Sequence, residues 1–264
     1  IVDKEPSQRF IQPRESDIQW DAVYNYLTIK RGLPENIVDS LHEKGIVYAD
    51  SHQNAVFAMR SFSGVDKVSQ SQSAKNASTP TVGAFLRGTR GENNSFMGYA
   101  IGTKRSQGSF YVDLGGQVGD EIQRLVLCKS PIDALSYLTL EQMAAKKASI
   151  KGTIYLALDS TRNLPVTLLK DIPEVIAAYD KDEAGNQIAQ DIQNLLPQTT
   201  IIQPIEKDWN QQLLRRIRSL QVMEREAKLE KKANNKGLEL FCCYKFMHLL
   251  SFNTTFRNSY ISPY

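Results

Sequence analysis

The segment AYDKDEAG, Ala178 to Gly185, sets two carboxylates, Asp180 and Asp182, directly behind the apolar run EVIAAY. Residues two apart on extended backbone point the same way, roughly 6–7 Å apart. A pair so placed can share a hard cation such as Mg²⁺ or Mn²⁺, which takes oxygen ligands and needs only one or two of them from protein. Gly185 permits a close turn into the next helix. The same composition also describes a solvated acidic turn that caps a helix, because Asp is common in turns.

Other polar residues fall where further apolar runs end. Lys129 follows RLVLC, Asp133 lies in the first turn of PIDALSYLTLEQMAAKK, and Asp159 ends TIYLALD. Asp133 suits the positive end of a helix, worth about 0.3–1 kcal/mol, and Ser130 is an N-cap candidate before Pro131. Arg87 and Arg90 close TVGAFLRGTR, with Lys104 and Arg105 beyond it as a basic rim. Arg pairs with phosphate through a planar fork, although turn arginines also simply face solvent. Lys207 and Asp208 open the segment KDWN. Trp209 reads as a core residue, and the three histidines are scattered and receive no role.

The elements that would position these residues differ between the two halves. Residues 1–16 read as an arm or linker holding Pro6 and Pro13. A helix is expected from Asp17, with Trp20, Val23, Tyr24 and Leu27 at 3.6-residue spacing, and a second opens at Pro34. Strands are expected at Ile46–Asp50 and Asn54–Arg60 as a hairpin, then at Thr81–Arg90 and Gly108–Gly116, with a polar loop over 63–80. These make a small α+β domain over 17–118. From 119 to 215 the texture alternates: strands Arg124–Cys128, Thr153–Asp159, Glu174–Asp180 and Thr199–Pro204, with helices from Pro131, near Leu164 and from Gly185. That order predicts an α/β domain, a mostly parallel sheet flanked by helices, with ligands gathering at the carboxyl ends of its strands. Residues 216–240 continue a charged helix that begins at Trp209. Residues 241–264 carry seven Phe or Tyr and no Asp or Glu, and read as a non-native tail.

The 264 residues carry a net charge of +3, which permits a nucleic-acid partner without arguing for one. Cys128, Cys242 and Cys243 show no zinc spacing and fit a reducing, cytoplasmic setting. No apolar run is long enough for a membrane span. The start at Ile1 reads as a piece of something longer.

LCKSPIDALS (Leu127 to Ser136), AYDKDEAG and KDWN occur in this order at strand–helix spacing. Over roughly residues 122–215 the chain resembles the Toprim family, shared by bacterial primases, topoisomerases and related nucleases. The resemblance implies that Asp180 and Asp182 are the family's DxD and hold Mg²⁺ or Mn²⁺. It places Asp133, Asp159 and Asp208 around them and Lys207 in a phosphate-binding element. The first half, YLTIKRGLPENIVDSLHEKGIVYAD followed by NAVFAMR and VGAFLRGT, resembles the small domain that precedes Toprim in plasmid and mobile-element proteins. It also resembles a reduced primase core, which implies that Arg87 and Arg90 face a nucleotide or template channel. One residue departs from the pattern: Lys129 stands where the family has a catalytic glutamate. A protonated lysine cannot ligate Mg²⁺, but it can replace the cation's charge or contact a phosphate.

Three functions follow from this reading. The first is a primase-like nucleotidyltransferase or nuclease of DNA metabolism, acting on DNA rather than RNA and on nucleotides. The second is a non-catalytic nucleic-acid-binding module of the same fold, silenced by Lys129. The third is an α/β interaction domain with acidic loops. The position of the Lys129 amine relative to Asp180 and Asp182 discriminates the first two.

Overall fold

The computed structural model describes residues 7–62, 79–91, 94–114, 122–144, 152–229 and 231–232. Most of the expected 63–80 loop, the first six residues of the arm, the expected domain junction at 118/119 and the 241–264 tail lie outside these residues. The chain divides into two compact units, Ile1–Leu214 and Arg215–Tyr264. No described helix is long and apolar enough to cross a membrane.

The first unit opens with α1, Asp17–Asn25, which runs directly into a π-helical turn, Tyr26–Lys30. The helical spacing through Leu27 anticipates a helix here but not its change of pitch. Gly32, at φ 68°, turns the chain towards α2, Glu35–Glu43, which follows Pro34 as expected. The apolar face of α2 buries Val38 and Leu41.

A five-stranded antiparallel sheet comes next. Its strands are β1 Val47–Ala49, β2 Asn54–Ser61, β3 Thr81–Gly88, β4 Met97–Tyr99 and the short β5 Gly108–Ser109. The order is β1-β2-β3-β4, and β5 adds to the end of β2. The expected hairpin forms, with Val47 opposite Phe57 and Ala49 opposite Ala55. Strand β4 was not anticipated, since MGY is too short to show alternation.

The expected strand Gly108–Gly116 is corrected by the structure. It is two strands, β5 and β6 (Tyr111–Leu114), and they belong to different sheets. The chain changes sheet at Phe110, whose carbonyl accepts from the Ala157 amide at 2.9 Å, while the Ser109 hydroxyl donates to the Ala157 carbonyl. Both strands need extended backbone, so the residue pattern alone cannot reveal the switch.

The second sheet has β7 Arg124–Cys128, β8 Thr153–Ala157, β9 Glu174–Ala178 and β10 Thr199–Ile201 in the order β10-β9-β7-β8-β6. The pairs among β7–β10 are parallel, and β6 joins β8 antiparallel. Helices α3 Pro131–Ala144 and α5 Glu183–Leu195 follow β7 and β9. The helix expected near Leu164 is only a 3₁₀ turn, Thr161–Asn163, and a four-residue α4, Val166–Leu169. Pro165 and Pro173 bracket that stretch and limit the length of helix it can hold. Leu125, Leu127, Ile154, Leu156, Val175 and Ala177 are buried in the core of this α/β layer. Residues 209–214 are helical and close the first unit. Residues 215–229 are helical in the second.

The two ends of the parallel strands carry different chemistry. At the amino ends Arg124 forks onto Glu141 at 2.9 and 2.6 Å, and Tyr155 donates to the same carboxylate at 2.6 Å. The carboxyl ends hold the site.

Candidate functional site

β9 delivers Asp180 two residues beyond its last ladder position, and β7 delivers Lys129 from the adjacent strand, one residue beyond its own. Parallel pairing of Cys128 with Ala178 therefore sets the amine against the carboxylate. Lys129 Nζ donates to Asp180 Oδ2 at 2.6 Å and stands 3.9 Å from Asp182 Oδ2. Both carboxylates reach the same ammonium, as the two-residue spacing anticipates.

Asp182 is also the N-cap of α5, its Oδ1 accepting from the Gly185 amide at 2.7 Å. Gly185 is needed for another reason: a Cβ there would collide with the Asp180 carbonyl oxygen. The turn that carries the acidic pair thus packs against its own helix, with no room for a side chain between them.

Burial pulls the Lys129 ammonium pKa down, but the hydrogen bond and charge of Asp180, with Asp182 and Asp133 beyond it, raise it on balance. Burial pushes the Asp180 carboxyl up, against the pull of Lys129. Asp133 is buried on the first turn of α3 and takes a 2.6 Å hydrogen bond from Ser130. Burial raises its pKa to about 7, with the charges of Asp180 and Asp208 adding to the shift. Ser130 therefore serves Asp133 as much as the helix end.

These groups line one wall of a cavity of about 370 Å³, together with Asp159, Asp208, Asn210 and Ile132. The facing wall comes from the antiparallel half: Arg31, Phe85, Arg87 and Met97. Asp159 is held by Arg105 at 2.5 Å and by the Tyr99 hydroxyl at 2.8 Å. Arg105 also lies over the Tyr99 ring, 4.7 Å from its centroid. Asp208 caps the segment at 209, accepting from the Gln211 amide at 2.7 Å.

Of the residues singled out from the sequence, Lys129, Asp133, Asp159, Asp180, Asp208 and Arg87 meet in this cavity. Asp182 touches the site through Lys129, and Arg105 through Asp159. Arg90 and Lys207 are exposed and do not line it, nor does the half-buried Lys104. Trp209 is buried, as expected, and donates to the Ala178 carbonyl at 2.9 Å.

Among the residues of the site that escaped the sequence reading are Tyr26, Arg31 and Asn210. Arg31 Nε and Nη2 donate to Tyr26 Oη at 2.9 and 2.7 Å, and Arg87 Nε donates to the same oxygen at 3.0 Å. Residues five apart face different sides of an ordinary α-helix. Here the π turn, closed by the 3.0 Å bond from the Arg31 amide to the Tyr26 carbonyl, brings them together. Asn210 lies inside KDWN and binds the Arg31 carbonyl at 2.7 Å and Ser136 Oγ at 3.0 Å. KDWN suggests site roles for Lys207 and Asp208 and a core role for Trp209, and leaves Asn210 without one.

Asp180 Oδ1 is buried without a hydrogen-bond partner among the described residues, which is the one feature that suits a metal. Against it, the other Asp180 oxygen and the near Asp182 oxygen already face an ammonium, and Asp182 Oδ1 is committed to a backbone amide. No group of three His, Cys, Asp or Glu side chains that could hold a metal gathers among the described residues. These residues do not fit a Mg²⁺ centre of the kind the acidic pair implied.

Residues 126–213 match the family described as Toprim-like, and residues 25–116 match a family described only as a protein of unknown function. This chain carries a Toprim-like domain. Strands β8, β9 and β10, most of β7, the acidic turn after β9 and the KDWN segment fall within its bounds. No curated protein matches the chain. Among solved structures it is similar to the primase fragment of the bacteriophage T7 primase-helicase, at 14% identity over 80% of this chain and 77% of that one, TM-score 0.44. It is also similar to primase domains of bacteriophage T7 gp4 seen with an RNA/DNA hybrid and dTTP, at 14% identity over 74% and 87%, TM-score 0.46. A third is the DnaG catalytic core, at 17% identity over 78% and 61%, TM-score 0.40. Within the matched stretch the acidic turn after β9 faces the Lys129 ammonium.

Proposed function

We propose that the chain is a primase-like Toprim module of DNA metabolism that binds nucleic acid and has exchanged metal-dependent phosphoryl chemistry for a fixed internal charge. The observation that carries this reading is the Lys129 ammonium, 2.6 Å from Asp180 and 3.9 Å from Asp182. It supplies one positive charge to the acidic pair, as a resident cation would, but offers neither open coordination positions nor Lewis acidity.

The residues that remain for binding are Arg31 and Arg87 on the facing wall, with Phe85 and Met97 as apolar surface between them. Their chemistry suits phosphate and a stacked or apolar unit beside it. DNA is the preferred partner, in replication or mobilisation of a mobile element, in the cytoplasm.

Titration calorimetry tests the reading. The unmodified chain is expected to show no tight Mg²⁺ or Mn²⁺ binding. Lys129→Glu, which adds a third carboxylate and removes the ammonium, is expected to gain it and to show a metal-dependent rise in melting temperature. Tight Mg²⁺ binding by the unmodified chain, lost on Asp180→Ala, would overturn the proposal. Single-stranded DNA binding is expected to survive EDTA and to weaken steeply with salt.

A further inference from the structure

Every carboxylate in the cavity wall already has a donor: Asp180 has Lys129, Asp159 has Arg105 and Tyr99, Asp133 has Ser130, and Asp208 has Gln211. The two guanidinium groups have none of these carboxylates. Among the described residues Arg31 and Arg87 pair with no carboxylate, and both converge on one neutral phenolic oxygen within 3.0 Å. The other donors of Arg87 make only 3.4 Å contacts with the Asn94 and Ser95 carbonyls.

Two like charges gathered on a single neutral acceptor leave the attraction of each for an anion unsatisfied. A phosphoryl group has several charged oxygens and can take both forks at once. The cavity, at about 370 Å³, lies within the size of small-molecule sites, and Phe85, Met97 and Ile132 give it an apolar side.

We propose that Arg31 and Arg87, held together by Tyr26 Oη, form a pincer for one phosphoryl group. The ligand is a single phosphorylated nucleotide unit, free or within a strand, bound without a divalent ion. This rests on the nucleic-acid-binding reading above and names the group that would be gripped. Tyr26 holds the forks together until the anion arrives. Asn210 steadies the head of Arg31, its Oδ1 accepting from Nη1 at 3.1 Å.

The full chain is titrated calorimetrically in EDTA at low salt with inorganic pyrophosphate, a deoxynucleoside triphosphate and a 5′-hydroxyl oligothymidylate. Arg87→Gln and Arg87→Lys are compared with Lys170→Gln, which removes a charge from an exposed turn away from the cavity. Arg87→Gln is expected to weaken binding about tenfold or more, Arg87→Lys less, and Lys170→Gln not at all. Loss of pyrophosphate and triphosphate binding identifies a free nucleotide, and loss of oligonucleotide binding alone identifies a strand phosphate. Both outcomes support the pincer. Binding of every probe that is equal in the unmodified chain and both Arg87 variants overturns the pincer while leaving the nucleic-acid reading intact. No binding of any of the three probes overturns both. Should Arg87→Gln fail to fold, Arg87→Lys carries the comparison, because it keeps the charge and loses only the fork.

Discussion

At the scale of single residues, Lys129 and Asp133 divide the electrostatics of the cavity between them. Lys129 compensates Asp180 directly, at 2.6 Å, although its side chain stays 41% exposed and water screens part of the attraction. Asp133 has no such cation, and burial raises its pKa from 3.8 to about 7. The sign of the consequence follows from linkage. Between the unfolded value and about pH 7 the folded chain holds a proton that the unfolded chain has released, so this group makes stability fall as pH rises through that window. Asp133→Asn keeps the shape and removes the titration. It is expected to match the unmodified chain near pH 4 and to exceed it by a few kcal/mol at pH 8, because each tenfold change in proton affinity is worth about 1.36 kcal/mol. Urea unfolding midpoints at the two pH values check this. The positions of both residues were legible in the sequence, because each follows an apolar run that ends at a sheet edge. The Lys129 contact was legible only through the family resemblance, as one of two alternatives, since it depends on β7 and β9 being neighbours, and that pairing is a property of topology.

At the scale of elements, the acidic turn works because α5 starts immediately against it. Gly185 sits where any side chain would strike the Asp180 carbonyl. Gly185→Ala is expected to destabilise the fold by about 1–3 kcal/mol, the usual cost of overpacking, and to move Asp180 relative to Lys129. A lowered urea midpoint together with tighter Mn²⁺ binding would report both effects. The bounds of β7 were readable from RLVLC alone, because a fully buried parallel strand is a continuous apolar run. The π turn at Tyr26–Lys30 was not, since its pitch leaves no separate mark in a helical pattern. Tyr26 and Arg31 went unnoticed for that reason.

At the scale of the first unit, the cavity has one wall from each sheet, and Asn210 links the walls. Buried, it bonds the Arg31 carbonyl, the Arg31 guanidinium and Ser136. Asn210→Ala leaves the Arg31 carbonyl without this donor and is expected to cost about 1–3 kcal/mol. Its effect should extend to weaker phosphate binding, measured by the same calorimetry, because Arg31 loses its anchor. Fold class was legible across both halves from the change between antiparallel and alternating texture. Their mutual arrangement was not, because the residues that join them, Arg31, Phe110 and Asn210, carry no joint signal along the chain.

The crossing at Phe110 bears on how the molecule can be cut. Strand β6 is contributed by the amino-terminal half and covers β8 across four residue pairs, from Tyr111 with Leu156 to Leu114 with Thr153. A piece beginning at residue 122 would keep the whole Toprim-like match at 126–213 yet lose that cover. The backbone edge of β8 would then stand open along a run of buried apolar residues, an invitation to pair with another copy. Such a piece is expected to self-associate, and a synthetic peptide of residues 108–116 is expected to return it to a monomer. Sedimentation with and without the peptide would register the change. The shortest stretch that carries the family's sequence is therefore expected to be shorter than the shortest stretch that stays monomeric.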